Sequence, residues 1–174
     1  MNFENLNDAV RELMVDEIEV DISNERIYVS PRLTDHGVAQ YPELLVQAAS
    51  QADEEWLAGI LNSQGLIRSH EWRTTRGKRT QVKVPHTAAQ TLAEGEFNRY
   101  YVRALCRFAI DNEQDFLEVY RAKEVRKPRS SSIALIGKKF SPKELLADLR
   151  ENRLDTVLGI PPGPNSGLSV KLPA

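Results

Sequence analysis

The residues able to do chemistry are scattered. His36, His70 and His86 fall far apart in the chain, and none is four residues from another, as a helical metal pair requires. Cys106 is the only cysteine, so no intramolecular disulfide and no cysteine-rich metal site can form. It lies among apolar neighbours, where an inert buried thiol is expected. Ser130, Ser131 and Ser132 sit in a basic stretch with no G-x-S-x-G elbow around them. Gly159, Gly163 and Gly167 come close to a phosphate-binding loop in composition, yet no Gly-Lys-Ser/Thr follows. Asp115, Glu118 and Lys123 are the nearest approach to a divalent-metal nuclease, which gathers carboxylates on adjacent strands beside a lysine. On a strand Lys123 would fall on the face opposite Glu118, so the required spacing is not met. No cofactor and no catalytic residue is expected.

Binding chemistry has more support. Arg73, Arg76, Lys78 and Arg79 crowd one turn, Arg121, Lys123, Arg126, Lys127 and Arg129 crowd another segment, and Arg99, Arg103 and Arg107 recur every four residues. Such patches attract phosphates or acidic protein surfaces. Trp72 beside Arg73 and Tyr120 beside Arg121 are the only aromatic interleaving of the kind single-strand binders use. The formal net charge of -2 favours an acidic protein surface over nucleic acid. That total hides a split: Glu4, Asp8, Glu12, Asp16, Glu17, Glu19, Asp21 and Glu25 face a lone Arg11 near the start, while 68–83 and 121–143 are basic.

The elements that must position these groups follow from periodicity and punctuation. The chain has 174 residues, 41% hydrophobic and 28% charged, which suits one soluble domain with an ordinary core. No apolar run approaches the roughly 20 residues that span a bilayer, and the acidic start does not read as a secretory signal, so no membrane partner is expected. Residues 3–15 predict a short amphipathic helix. Ile18, Val20 and Ile22, then Ile27 and Val29, alternate and predict a hairpin ended by Pro31. Residues 34–37 read as loop, with a helix opening at Pro42 and another over 53–62 closed by Gly65. A second, basic hairpin turns at Arg76-Gly77-Lys78. The longest helical pattern, 86–110, places Leu92, Ala93, Phe97, Tyr101, Ala104, Leu105 and Phe108 on one face, with Thr87 as its cap.

A strand over 116–122, central to a small sheet, precedes a loop marked by Pro128. Ser141, Pro142 and Glu144 then predict a capped helix start. Pro161, Pro162 and Pro164 bar regular structure before a last short strand of Leu168, Val170 and Leu172. The expected fold is α+β: one small domain over 1–158, with short antiparallel hairpins around one long central helix, and an extended Pro/Gly-rich tail over 159–174. That tail strand either closes the chain's own sheet or joins a neighbour's. If the arginine stripe pairs with the chain's own acids, the long helix is scaffold, and the binding surfaces move to the hairpin, the Pro128 loop and the tail.

Four phrases carry a resemblance: LAEGEFNRYYVRALCRFAI, VYRAKEVRKPRSSS, IGKKFSPKELLADLR and the closing GIPPGPNSGLSVKL. With DEIEVDISNERIYVSPRL near the start, they resemble a family of small proteins encoded among the virion genes of tailed bacteriophages. The resemblance implies a structural or assembly component at the head or head–tail junction. It also implies other virion proteins and copies of the chain as partners, and a location in the virion, with the host cytoplasm during assembly. It brings no catalytic residue. A nucleic-acid-binding accessory protein and a divalent-metal nuclease are the alternatives.

Overall fold

The computed structural model describes residues 1–153, 156–163 and 165–173. The fold is α+β. Helix α1 (Asp8–Ser23) starts at Asn7, whose side chain accepts from the Val10 amide at 3.0 Å. It takes up the first strand of the expected hairpin, while the second, around Ile27 and Val29, forms no regular structure. Its buried stripe is Val10, Met14, Glu17, Ile18 and Asp21, a helical spacing that includes two acids. Those acids disguise the stripe in a hydrophobic-polar pattern, while Val20 and Ile22, which suggested strand alternation, lie outside at 51% and 38% exposure.

Helix α2 (Asp35–Gln51) also begins earlier than its pattern suggests. Thr34 is its cap, accepting from the Gly37 amide at 3.1 Å, so the expected loop is the first turn and Pro42 lies inside the helix. Helix α3 (Glu54–Ser63) starts at Asp53, whose carboxylate accepts from Trp56 at 2.7 Å. Gly37 lies against the chain that leaves α3. A Cβ there would stand 2.4 Å from the Leu66 carbonyl oxygen, so only glycine permits this approach.

Strands β1 (His70–Thr75) and β2 (Lys78–Lys83) form the expected basic hairpin, in register from His70 opposite Lys83 to Thr75 opposite Lys78. Helix α4 (Ala88–Asp111) is the centre of the molecule. It packs against α1 and α3, and against the later helix α6 (Pro142–Glu151). It was expected to bury one face, but it is enclosed on nearly all sides from Ala88 to Ala109. Thr87 precedes it without a side-chain cap bond.

Strand β3 (Leu117–Arg121) is the middle of a three-stranded antiparallel sheet. The short helix α5 (Ser130–Ile133) and strand β4 (Lys139–Phe140) lie in the segment expected to be loop. α6 has Ser141 as its cap and Pro142 in its first turn. The last strand, β5 (Leu168–Lys171), pairs with β3 from Arg121 opposite Leu168 to Glu118 opposite Lys171. The tail therefore closes the chain's own sheet. Ile160 is buried as well, and Pro164 lies outside the described residues.

Helix propensity alone would favour alanine at position 37 by about 1 kcal/mol, but forcing a methyl group against a fixed carbonyl costs about 1–3 kcal/mol. Gly37→Ala should therefore lower stability, by up to about 2 kcal/mol in urea unfolding; a gain would show that the Leu66 backbone yields.

Candidate interaction surface

The arginine stripe of α4 faces inward. Arg103 is 1% exposed and lies between two acids of α1. Its Nε donates to Glu17 Oε2 at 2.8 Å, and its Nη1 and Nη2 donate to Asp21 at 2.5 and 3.2 Å. The Tyr100 hydroxyl donates to Asp21 at 2.9 Å. Arg150 of α6 reaches the same Glu17 through Nε at 3.0 Å, and Arg107 meets Asp16 and Glu17 at 3.2 and 3.4 Å. Burial pushes the Glu17 carboxyl up, but Arg150 and Arg103 overcome it and hold the group below its ordinary value. Burial likewise opposes Asp21, and Arg103 with Tyr100 wins. The ion pairs in turn hold the Arg103 guanidinium above its ordinary value against the pull of burial.

Arg99 uses its fork differently. It donates to the carbonyls of Leu149 at 2.5 Å, Asn152 at 2.9 Å and Arg153, closing the C-terminal end of α6. Arg11 does the same for α2, donating to Ala49 at 2.8 Å. Arg99 and Arg103 are therefore structural, and their expected place on a binding surface is corrected. Arg107 remains half-buried in its ion pairs.

Beside Arg99 opens a cavity of about 260 Å³, lined among others by Tyr28, Arg32, Leu92, Glu96, Asn98 and Arg153. Glu96 lines it at 7% exposure. Burial raises this carboxyl to about 7, with Arg99 pulling the other way. Periodicity alone could not have singled it out, since it stands among the polar residues of a helix that the sequence suggested was buried on one face only.

The expected loop and tail cations and strand residues are mostly committed too. Arg121 is half-buried and donates to the Ser166 carbonyl at 3.2 Å, and Lys123 pairs with Glu94. Arg126, Lys127 and Arg129 are exposed. Leu168 and Val170 are buried in the sheet, and Leu172 is half-buried with its amide bonded to Asn5 at 2.9 Å. They are not an exposed arm. The nuclease candidates do not converge: Asp115 is exposed before β3, Glu118 stands opposite Lys139 and Lys171 on the sheet, and Lys123 is held by Glu94. Among the described residues no three His, Cys, Asp or Glu side chains cluster as a metal site. The three histidines are exposed, and Cys106 is buried with its thiol pushed up by burial.

Beside the exposed cations of 126–129, the hairpin is the cationic element that also carries an exposed aromatic ring. Both strands are exposed on both faces over most of their length. Its base is fixed by Arg32, which grips Glu71 at 2.7 and 3.1 Å, and Arg73 shares that carboxylate at 2.8 Å. Arg76 and Gly77 both take positive φ, 50° and 77°, as a two-residue hairpin turn demands, and Arg76 does so without the freedom of glycine. Opposed residues share a face, so His70, Trp72, Thr74, Arg79, Gln81 and Lys83 form one acid-free side. Trp72 is 59% exposed there, with the Arg79 guanidinium 4.8 Å from its ring centre.

Removing Arg103 leaves buried Asp21 without its ion pair and Glu17 with only Arg150 and Arg107, so Arg103→Ala should cost about 3–5 kcal/mol in denaturant unfolding, far more than Arg126→Ala. The pH dependence has two limbs. Glu17 and Asp21 sit below their ordinary values of 4.5 and 3.8, so their stabilisation is present above those values and is lost as pH falls through the lower folded ones. Glu96 is raised from 4.5 to about 7, so the folded chain holds a proton that the unfolded chain releases, and stability falls as pH rises across that interval. Glu96→Gln should flatten this second limb and stabilise the protein at pH 8 by at most about 3 kcal/mol, while matching wild type near the ordinary carboxylate value. Equal melting curves at pH 8 would refute the assignment.

Comparisons with protein-family models, with curated proteins and with solved structures find no match to this chain.

Proposed function

We propose that the protein is a non-enzymatic structural or assembly component of a tailed-phage particle, at the head or head–tail junction, and that it works through protein contacts with the basic hairpin as its docking element. The observation that carries this is the hairpin's exposure: a two-stranded ribbon is marginal alone, and here an indole and several cations stand in water around it. The resemblance of the long helix, the Pro128 segment and the closing phrase to virion-gene products supplies the setting. The compensation of Arg99, Arg103 and Arg107 within the fold supports a scaffold for α4.

A second reading, nucleic-acid binding, is favoured by the acid-free face around Trp72 and Arg79. It predicts oligonucleotide affinity that falls steeply with salt.

Replacing 73–80 with a two-residue Asn-Gly turn should leave the body folded, because the hairpin's packing is mainly on itself. The full chain should sediment with purified particles and the shortened chain should not. Equal co-sedimentation of both would remove the hairpin from the role. Failure of the full chain to join particles at any stage of assembly would end the virion reading.

A further inference from the structure

The hairpin's exposed charges have a complement in the same chain. On α1, Asp8, Glu12 and Asp16 recur every four residues along one exposed row, a self-repelling arrangement that weakens the helix carrying it. They border a groove of about 330 Å³ with Val15 and Ser50. The one cation in the groove, Arg11, is turned to the carbonyls that end α2. Asp16 has a contact with Arg107; among the described residues Asp8 and Glu12 have no ion pair. On the hairpin the position is reversed. Arg76, Lys78, Arg79 and Lys83 make no ion pair among the described residues, and Arg79 lies against the exposed indole of Trp72.

The spacings agree. Two helical steps of four residues carry Asp8 to Asp16 over about 12 Å, at 1.5 Å per residue. Four strand residues carry Arg79 to Lys83, on one face with Trp72, over about 13 Å. Val15 gives the groove an apolar floor for the indole. No hydrogen bond or ion pair joins the hairpin to α1 within the chain among the described residues, and α1 packs against α4 and α2 instead.

We infer that the basic face of the hairpin, centred on Trp72 and Arg79, docks on the acidic α1 groove of a second copy of this chain. A second copy carries both the basic hairpin and the acidic α1 row, so each exposed set meets its complement in an identical chain. Donor and acceptor surfaces differ, so the contact is head-to-tail and repeats: it closes into a ring or extends as a filament. The inference builds on the assembly role proposed above and names its partner.

Sedimentation velocity of the full chain tests it, at low and high salt. Wild type should form species larger than the monomer at low salt and lose them at high salt. A hairpin variant, Arg79→Glu with Lys83→Glu, should be monomeric, as should an α1 variant, Asp8→Lys with Glu12→Lys, each with wild-type circular dichroism. Mixed together they should form a dimer and nothing longer, because one retains only the acceptor and the other only the donor. Carrying both changes in one chain should restore the larger species. The inference is overturned if folded single-surface variants assemble like wild type, if the mixture stays monomeric, or if wild type is monomeric at its highest soluble concentration, whether or not the hairpin then binds an oligonucleotide. Wild type that is monomeric yet joins particles would overturn only this contact. Wild type that assembles but never joins particles would overturn only the virion setting.

Discussion

The clasp of Arg103 by Glu17 and Asp21 is the interaction on which the rest of the fold depends. It lies where α1 crosses α4, out of water, and Arg150 brings α6 to the same carboxylate. Desolvation of three or four charges is offset only because each has a partner in good geometry, with Tyr100 filling a further acceptor position on Asp21. An apolar contact at this crossing would tolerate sliding. A guanidinium held by two carboxylates one helical turn apart does not, and it fixes the rotation of α1 about its own axis. That rotation decides which acids of α1 point out.

The molecule thus sorts its charges by role. Inside, arginines either neutralise acids or end helices. Outside, among the described residues, the α1 row, the hairpin and the cations of 126–129 remain largely uncompensated. The body also limits what the hairpin can do. Arg32 fixes its base through Glu71, while among the described residues no side-chain bond or ion pair holds the tip. A contact made along the face near Trp72 therefore starts from a better ordered surface than one made at Arg76.

Much of this could be read from residue order wherever local chemistry decides the outcome. Arg-Gly between two polar strands marks the hairpin, Ser-Pro-x-Glu marks the start of α6, and Asp53 marks the start of α3, because caps and turns act over three or four residues. The stretch over 18–29 misled for an identifiable reason. A stripe whose buried members include Glu17 and Asp21 does not look apolar, and buried Ile18 with outward Val20 and Ile22 mimics a strand. The arginine stripe was visible but its direction was not, since a four-residue repeat describes a face and not what covers it. The matching four-residue spacing of Glu17 and Asp21 was the available clue, and it needed the crossing of α1 and α4 to become a contact. Nothing in residue order marks the altered proton affinity of Glu96, because that comes from burial.

Two helices end in an unusual way. α2 runs into Ala52 and α6 into Asn152, neither a glycine, and their last carbonyls are taken by Arg11 and Arg99, which belong to other helices. A glycine stop is local and works in an isolated peptide. These stops exist only when α1 lies beside α2 and α4 beside α6. Where each helix ends is thus a property of the assembled domain, which ties the boundaries of secondary structure to the same cooperative transition as the core.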